Sequence, residues 1–263
     1  MHLVGGSFFI GWICLLVGLS LAPDLVQASV GLPSPLERCK WQDEACMVAQ
    51  ANVFFKAFKN GIPERQVPSM DPMELGTMRI ESGGHSDSLQ FKLTLSDSKL
   101  YNLPQSVKLK GIKGFSQDLT KPLRITLLMQ ATDLEVHAKY DVDGKLLILP
   151  IVSQGTAVIK LSDVQSKSRI LVEPVKRSDG HTYLNITDFR LTTKLRNGSF
   201  NMSNLFNDNV ELRDSTLKVL NQEWDALAAD VQPAFNVACG RAFKNILQRL
   251  WNDIPYEEFF KDE

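Results

Sequence analysis

The chain has 263 residues, 44% of them hydrophobic and 22% charged, a balance typical of folded globular proteins and far from the weakly hydrophobic, highly charged range of disordered chains. Lys and Arg number 29 against 30 Asp and Glu, so the formal net charge is −1 and no surplus of positive charge is available for a phosphate-tracking surface. Nucleic acid is thereby excluded as the leading partner, and the length fits one large β-rich domain.

Residues 1–28 read as a secretory signal peptide. Phe8 to Leu21 is almost wholly apolar, and Val26-Gln27-Ala28 supplies the −3 to −1 positions of a cleavage site after Ala28. The apolar run, interrupted by Gly11 and Gly18, is well short of the ~20 residues of a membrane-spanning helix, and no run of spanning length follows it. The expected mature protein, residues 29–263, is a single secreted, extracellular domain that does not span the membrane and is monomeric. Cleavage removes Asp24 and Cys14, so the charges balance and Cys39, Cys46 and Cys239 remain. In an oxidising compartment the close spacing of Cys39 and Cys46 reads as a local disulfide, with Cys239 as a buried thiol on a helix. Sequons at Asn185, Asn197 and Asn201 predict a glycoprotein and agree with the secretory route.

The first folded element of the mature chain is a helix, marked by Met47, Ala51, Phe54, Phe55 and Phe58 at helical spacing, with Asn60-Gly61 as its stop and Pro63 just beyond. Phe54 and Phe58 belong to an aromatic face that serves a core or a ligand. From Met78 to about Leu205 the period changes to two. Leu89, Phe91, Leu93 and Leu95 alternate with polar residues, as do Leu134, Val136, Ala138, Tyr140 and Val142, and then Phe189, Leu191 and Leu195. Such alternation marks strands with one buried face. Asp143-Gly144, Asp179-Gly180 and Asn197-Gly198 are the expected hairpin turns, which makes the sheet antiparallel and meandering. The absence of helices between the strands argues against a parallel βαβ architecture and with it against the usual nucleotide-binding crevice.

Helical period returns at the C-terminus, where Leu217, Leu220, Trp224, Leu227, Val231, Phe235, Ala242, Ile246 and Leu250 fall on one stripe that Pro233 is expected to interrupt and bend. A stripe of about 50 Å needs an equally long partner, and a curved sheet wrapped around the helix supplies one.

Signals of chemistry are scarce. The sequence holds no nucleophile elbow, zinc-protease helix, phosphate loop or dinucleotide fingerprint. His85, His137 and His181 are dispersed, His137 falling on the polar side of a strand and His181 beside a turn, so they read as surface residues. No metal, cofactor or enzymatic activity is expected.

Leu220-Asn221-Gln222-Glu223-Trp224, Val231-Gln232-Pro233-Ala234 and Ile254-Pro255-Tyr256-Glu257-Glu258-Phe259-Phe260 resemble the C-terminal signature of the insect takeout and juvenile hormone-binding protein family. Cys39 with Cys46, Asn60-Gly61-Ile62-Pro63, Val67-Pro68-Ser69-Met70-Asp71-Pro72 and Tyr140-Asp141-Val142-Asp143-Gly144-Lys145 resemble its N-terminal half and central hairpin. With no further cysteine pair, the chain looks more like the takeout members. The resemblance implies an α+β fold in which a long helix is wrapped by a strongly curved antiparallel sheet, as in tubular lipid-binding proteins, enclosing a hydrophobic tunnel. It also implies a carrier of a hydrophobic small molecule such as a lipid, isoprenoid or hormone-like compound. Composition is the same for a hollow and a filled core, so the tunnel comes from the resemblance alone. The alternative is a secreted protein-interaction module with a solid core. In the carrier reading the ligand-lining residues are Phe54, Phe58, Phe91, Leu93, Val136, Tyr140, Leu191, Leu195, Trp224, Leu227, Val231 and Phe235.

Overall fold

The computed structural model describes residues 31–81, 89–146, 149–206 and 209–261; the expected leader with Cys14, and His85, lie outside the described residues. Among these, no helix is long and apolar enough to cross a membrane.

An N-terminal arm leads into α1 (Glu44–Ala57), which is started by Asp43, whose carboxylate accepts from the Cys46 N–H at 2.9 Å. Cys39 and Cys46 are joined in a disulfide across this helix start, and Cys239 is free and buried. The strands are β1 (Met73–Glu81), β2 (Leu89–Tyr101), β3 (Val107–Lys113), β4 (Leu123–Ala131), β5 (Leu134–Leu146), β6 (Leu149–Lys176) and β7 (Thr182–Met202), with a single helical turn, α2 (Leu103–Ser106), between β2 and β3. Two helices end the fold, α3 (Val210–Gln222) and α4 (Trp224–Asp253).

All the strand pairings are antiparallel. The 28-residue β6 is the spine of the sheet. β5 and β4 follow one another along one edge of it, with Leu134 opposite Leu161 and Ala131 opposite Val164, while β7 takes the other edge. β2 and β1 extend the sheet beyond β5, and β3 extends it beyond β4. The alternation read from the sequence holds here: Val136, Ala138, Tyr140 and Val142 are buried while the residues between them face out. The sheet curves until β1 and β7, its remote edges, both rest on α4, and α1 lies on β3. The 30-residue α4, about 45 Å long, is thus wrapped by the sheet and buries Leu227, Val231, Phe235, Ile246 and Leu250 against it.

Three local expectations are corrected. Asp143-Gly144 is no turn: Gly144 lies inside β5 between Phe91 of β2 and Ile151 of β6, and the chain reverses only after Leu146, which pairs with Leu149. A Cβ at Gly144 would fall 2.3 Å from the Gln90 carbonyl oxygen, so glycine is there to let two strands approach. Asn197-Gly198 is likewise inside β7, at a bulge where Leu161 and Asp163 change register, and a Cβ at Gly198 would meet the Trp224 ring at 2.3 Å. Asp179-Gly180 does form the β6–β7 turn, with Gly180 at φ +87°. The third correction concerns the long helix, which runs on through Pro233 and is interrupted at Glu223 (φ −90°, ψ 26°). The cause lies on either side of Glu223. Asn221 holds α3 to Phe200 of β7, and the Trp224 ring packs against Phe200 at 5.3 Å and over Gly198, so the two flanking turns are anchored separately.

Sheet edges expose unpaired backbone groups, and here helix side chains satisfy some of them. On β7, Asn221 pairs with Phe200, Asn236 accepts from Thr193, and Gln248 accepts from the Ile186 N–H at 2.7 Å and donates to the Leu184 carbonyl. Asn52 of α1 makes the same two-way contact with Leu109 of β3, and Arg241 of α4 donates to the Leu75 carbonyl of β1.

Candidate ligand-binding site

The N- and C-terminal segments are fastened together beside the C-terminal half of α4. Cys39 donates its N–H to the Phe259 carbonyl and accepts from Lys261, and Arg38 pairs with Glu258. Trp41 meets Phe260 edge-on at 4.4 Å, and Phe115, from the loop after β3, stacks on Tyr256 at 6.2 Å. The Tyr256 hydroxyl accepts from the Ser116 N–H and donates to the Ser116 carbonyl, both at 3.1 Å. Burial pushes its pKa well above the ordinary phenol value, so the residue is a neutral structural post.

Between this aromatic frame, α1, β3, β4 and α4 lies a cavity of about 170 Å³. Phe54, Phe55 and Met47 form its α1 wall, Leu109, Leu127 and Met129 its sheet wall, and Phe243, Leu247 and Leu250 its α4 wall. Polar side chains are few. Glu37 is exposed and Gln50 half-buried, both toward the N-terminal arm, where Gln50 accepts from the Glu37 N–H, while Ser168 of β6 is fully buried. A second, smaller cavity of about 60 Å³ lies near the start of α4, lined by Phe91, Leu93, Leu227, Val231 and neighbours, with exposed Lys145 among its lining residues. The helix between the two, with buried Phe235, Ala238 and Cys239, lines neither. Burial also raises the Cys239 thiol pKa far above its usual value, which leaves it a protonated packing group.

The twelve residues expected to line a tunnel therefore divide. Phe54 lines the larger cavity, and Phe91, Leu93, Leu227 and Val231 line the smaller. Val136, Leu195 and Phe235 are buried and Phe58 and Leu191 partly so, in the packed interior and on neither wall. Trp224 is buried against Phe200 and Gly198. Tyr140 is 2% exposed, donates its hydroxyl to the Ser203 carbonyl at 2.6 Å, and lines neither cavity. Asn185, Asn197 and Asn201 are exposed on β7. His137 pairs with Glu135 at 2.9 Å, which with Lys160 holds that carboxyl below its usual pKa, and the backbone N–H of His181 donates to the Asp179 carboxylate beside its turn.

The larger cavity's sheet wall was missed, because β3, β4 and the middle of β6 carry no unusual apolar pattern. One signal was present. Along β6 the inward positions Val164, Ser166, Ser168, Ile170 and Val172 are apolar except for two serines, and a serine in a buried row asks for a reason.

Comparison with known proteins agrees with this architecture. The crystal structure of Takeout 1 from Epiphyas postvittana matches with a TM-score of 0.73 at 24% identity, covering 86% of this chain and 100% of that one, which shows the shared fold. The circadian clock-controlled protein daywake of Drosophila melanogaster is 63% identical over 263 residues, 100% of each chain, and that of Drosophila yakuba is 62% identical over the same span. A family model described as haemolymph juvenile hormone binding protein matches residues 13–261. A chain that matches such a model over nearly its whole length, and that carries the wrapped-helix fold, belongs to the haemolymph juvenile hormone binding protein family.

Proposed function

We propose that the protein is a secreted carrier that binds a hydrophobic small molecule reversibly in the larger cavity and performs no chemistry on it. The observation that supports this most is the 170 Å³ space itself, walled almost entirely by apolar side chains from α1, the sheet and α4. Burial in such a space stabilises an apolar ligand by roughly 25 cal/mol per Å² removed from water, with few polar groups needed. A cavity of about 150 Å³ lined by Leu, Ile and Phe accepts one aromatic ring, so the space as it stands holds one small apolar group. A longer lipid or isoprenoid then extends out past the N-terminal arm or parts the packed stretch at Phe235.

In this reading residues 1–28 are the leader, residues 29–263 are one monomeric domain, and Asn185, Asn197 and Asn201 carry glycans on the exposed side of β7. The disulfide between Cys39 and Cys46 fits the oxidising environment of the secretory route. Solvent extraction of the purified secreted protein followed by mass spectrometry tests the carrier role: a stoichiometric apolar compound is expected. Protein that yields none and takes up none from a lipid extract is instead a protein-interaction module that carries no ligand.

A further inference from the structure

Ser168 has no side-chain hydrogen bond. It is 0% exposed and lines the larger cavity, its register neighbours across the sheet being Leu127 on β4 and Leu191 on β7. Its Oγ is one of the few buried side-chain polar atoms among the described residues without a partner, and the only one of them on the cavity wall. Buried hydroxyls are almost always paired, because an unpaired one keeps the full desolvation penalty of a polar group. A resident water is a poor remedy, since buried waters are held by two to four polar partners and the neighbours across both strands are leucines.

We propose that Ser168 is the polar anchor of the cavity and that it selects ligands carrying one neutral oxygen, a carbonyl or a hydroxyl, on an otherwise apolar chain. This rests on the carrier reading and adds the ligand's chemical class. A serine hydroxyl both donates and accepts, so it satisfies a ketone, an ester or an alcohol. A carboxylate is disfavoured because no cationic side chain lines this cavity to offset its burial. A plain hydrocarbon enters but leaves Ser168 unpaired. Specificity follows from that asymmetry, since a buried polar group left without its partner discriminates against the analogue that lacks it.

The test uses the full mature chain and N-phenyl-1-naphthylamine as a fluorescent probe, whose own affinity is measured for every variant. It is displaced by decane, by 2-, 3-, 4- and 5-decanone, by 1-decanol and by decanoate. For the wild type, decanone affinity is expected to depend on where the oxygen lies along the chain, with decanoate the weakest oxygenated competitor. Ser168→Ala should weaken the best decanone and decanol by about threefold to tenfold while leaving decane unchanged. The melting temperature should not fall, because the variant removes an unpaired polar group. Ser166→Ala, on the same strand but off the cavity wall, should change none of these affinities. Equal weakening of decane and decanone in Ser168→Ala, or decanone affinities independent of oxygen position in the wild type, overturns the anchor while leaving the carrier standing. Failure of the wild type to bind the probe or any decane derivative overturns the carrier reading, and the anchor with it.

Discussion

The side chain of Asn221 grips Phe200 from both sides, its Oδ1 accepting from the Phe200 N–H at 2.7 Å and its Nδ2 donating to the Phe200 carbonyl at 3.1 Å. Gln248 repeats the two-way contact on the same strand, accepting from Ile186 and donating to Leu184, and Asn236 accepts from the N–H and hydroxyl of Thr193. As the helices advance from 221 to 248, β7 is met in the reverse order, so α3 and α4 run antiparallel to it. An edge strand that would otherwise offer a row of free backbone groups is closed by helix side chains.

Asn221→Ala leaves both Phe200 backbone groups without their partner and should destabilise the protein by about 1–3 kcal/mol in urea unfolding. A change within experimental error would mean that water replaces the amide without loss, and the edge-closing role would be withdrawn for this position.

The bond between Cys39 and Cys46 closes a short loop, for which chain entropy gives about 2–3 kcal/mol of stabilisation. Replacing both with serine should lower stability by about that amount and loosen the arm that borders the larger cavity. In the folded protein Cys239 should not react with thiol reagents even at mildly alkaline pH, since burial both shields it and raises its pKa. Non-reduced mature protein should release one reactive thiol on unfolding; three would show that the disulfide is absent.

Tyr140→Phe removes the donor to the Ser203 carbonyl. The expected result is about 1 kcal/mol less stability with unchanged probe affinity. Unchanged stability with weaker binding would instead place that hydroxyl on the ligand.

Phe235 is 4% exposed and sits on the helix between the two cavities. Phe235→Ala should therefore cost about 3–5 kcal/mol, the ordinary penalty for opening a packed core. By opening space between the cavities it should also favour longer apolar ligands over short ones in the same displacement assay. A full penalty with no gain for longer ligands would show that the cavities stay separate.

Periodicity made the elements legible. The spacing of Met47, Ala51, Phe54 and Phe58 marked α1, and the alternation from Leu134 to Val142 marked β5 with its buried face. Dipeptides were poorer guides, because the glycine that suits a turn also suits a close approach: Gly144 lets β2 and β5 meet, and Gly198 makes room for Trp224. The helix break at Glu223 was hidden for a related reason, since it follows from contacts that Asn221 and Trp224 make with a strand some twenty residues earlier. Cavity walls were the least legible feature. Leu227 and Phe235 share one stripe, yet the first borders a space and the second fills one, and that difference depends on what the opposite strand brings, not on helical phase.

An apolar ligand that occupies the larger cavity must be displaced when that cavity is filled from its own wall. Ala51, on the inner face of α1, is replaced by Phe, and N-phenyl-1-naphthylamine binding is measured by fluorescence titration alongside thermal melting. Saturable binding by the wild type, with one probe per chain, is expected, together with at least tenfold weaker binding by Ala51→Phe at an unchanged or higher melting temperature. Equal probe affinity in the two proteins, both folded, would contradict it.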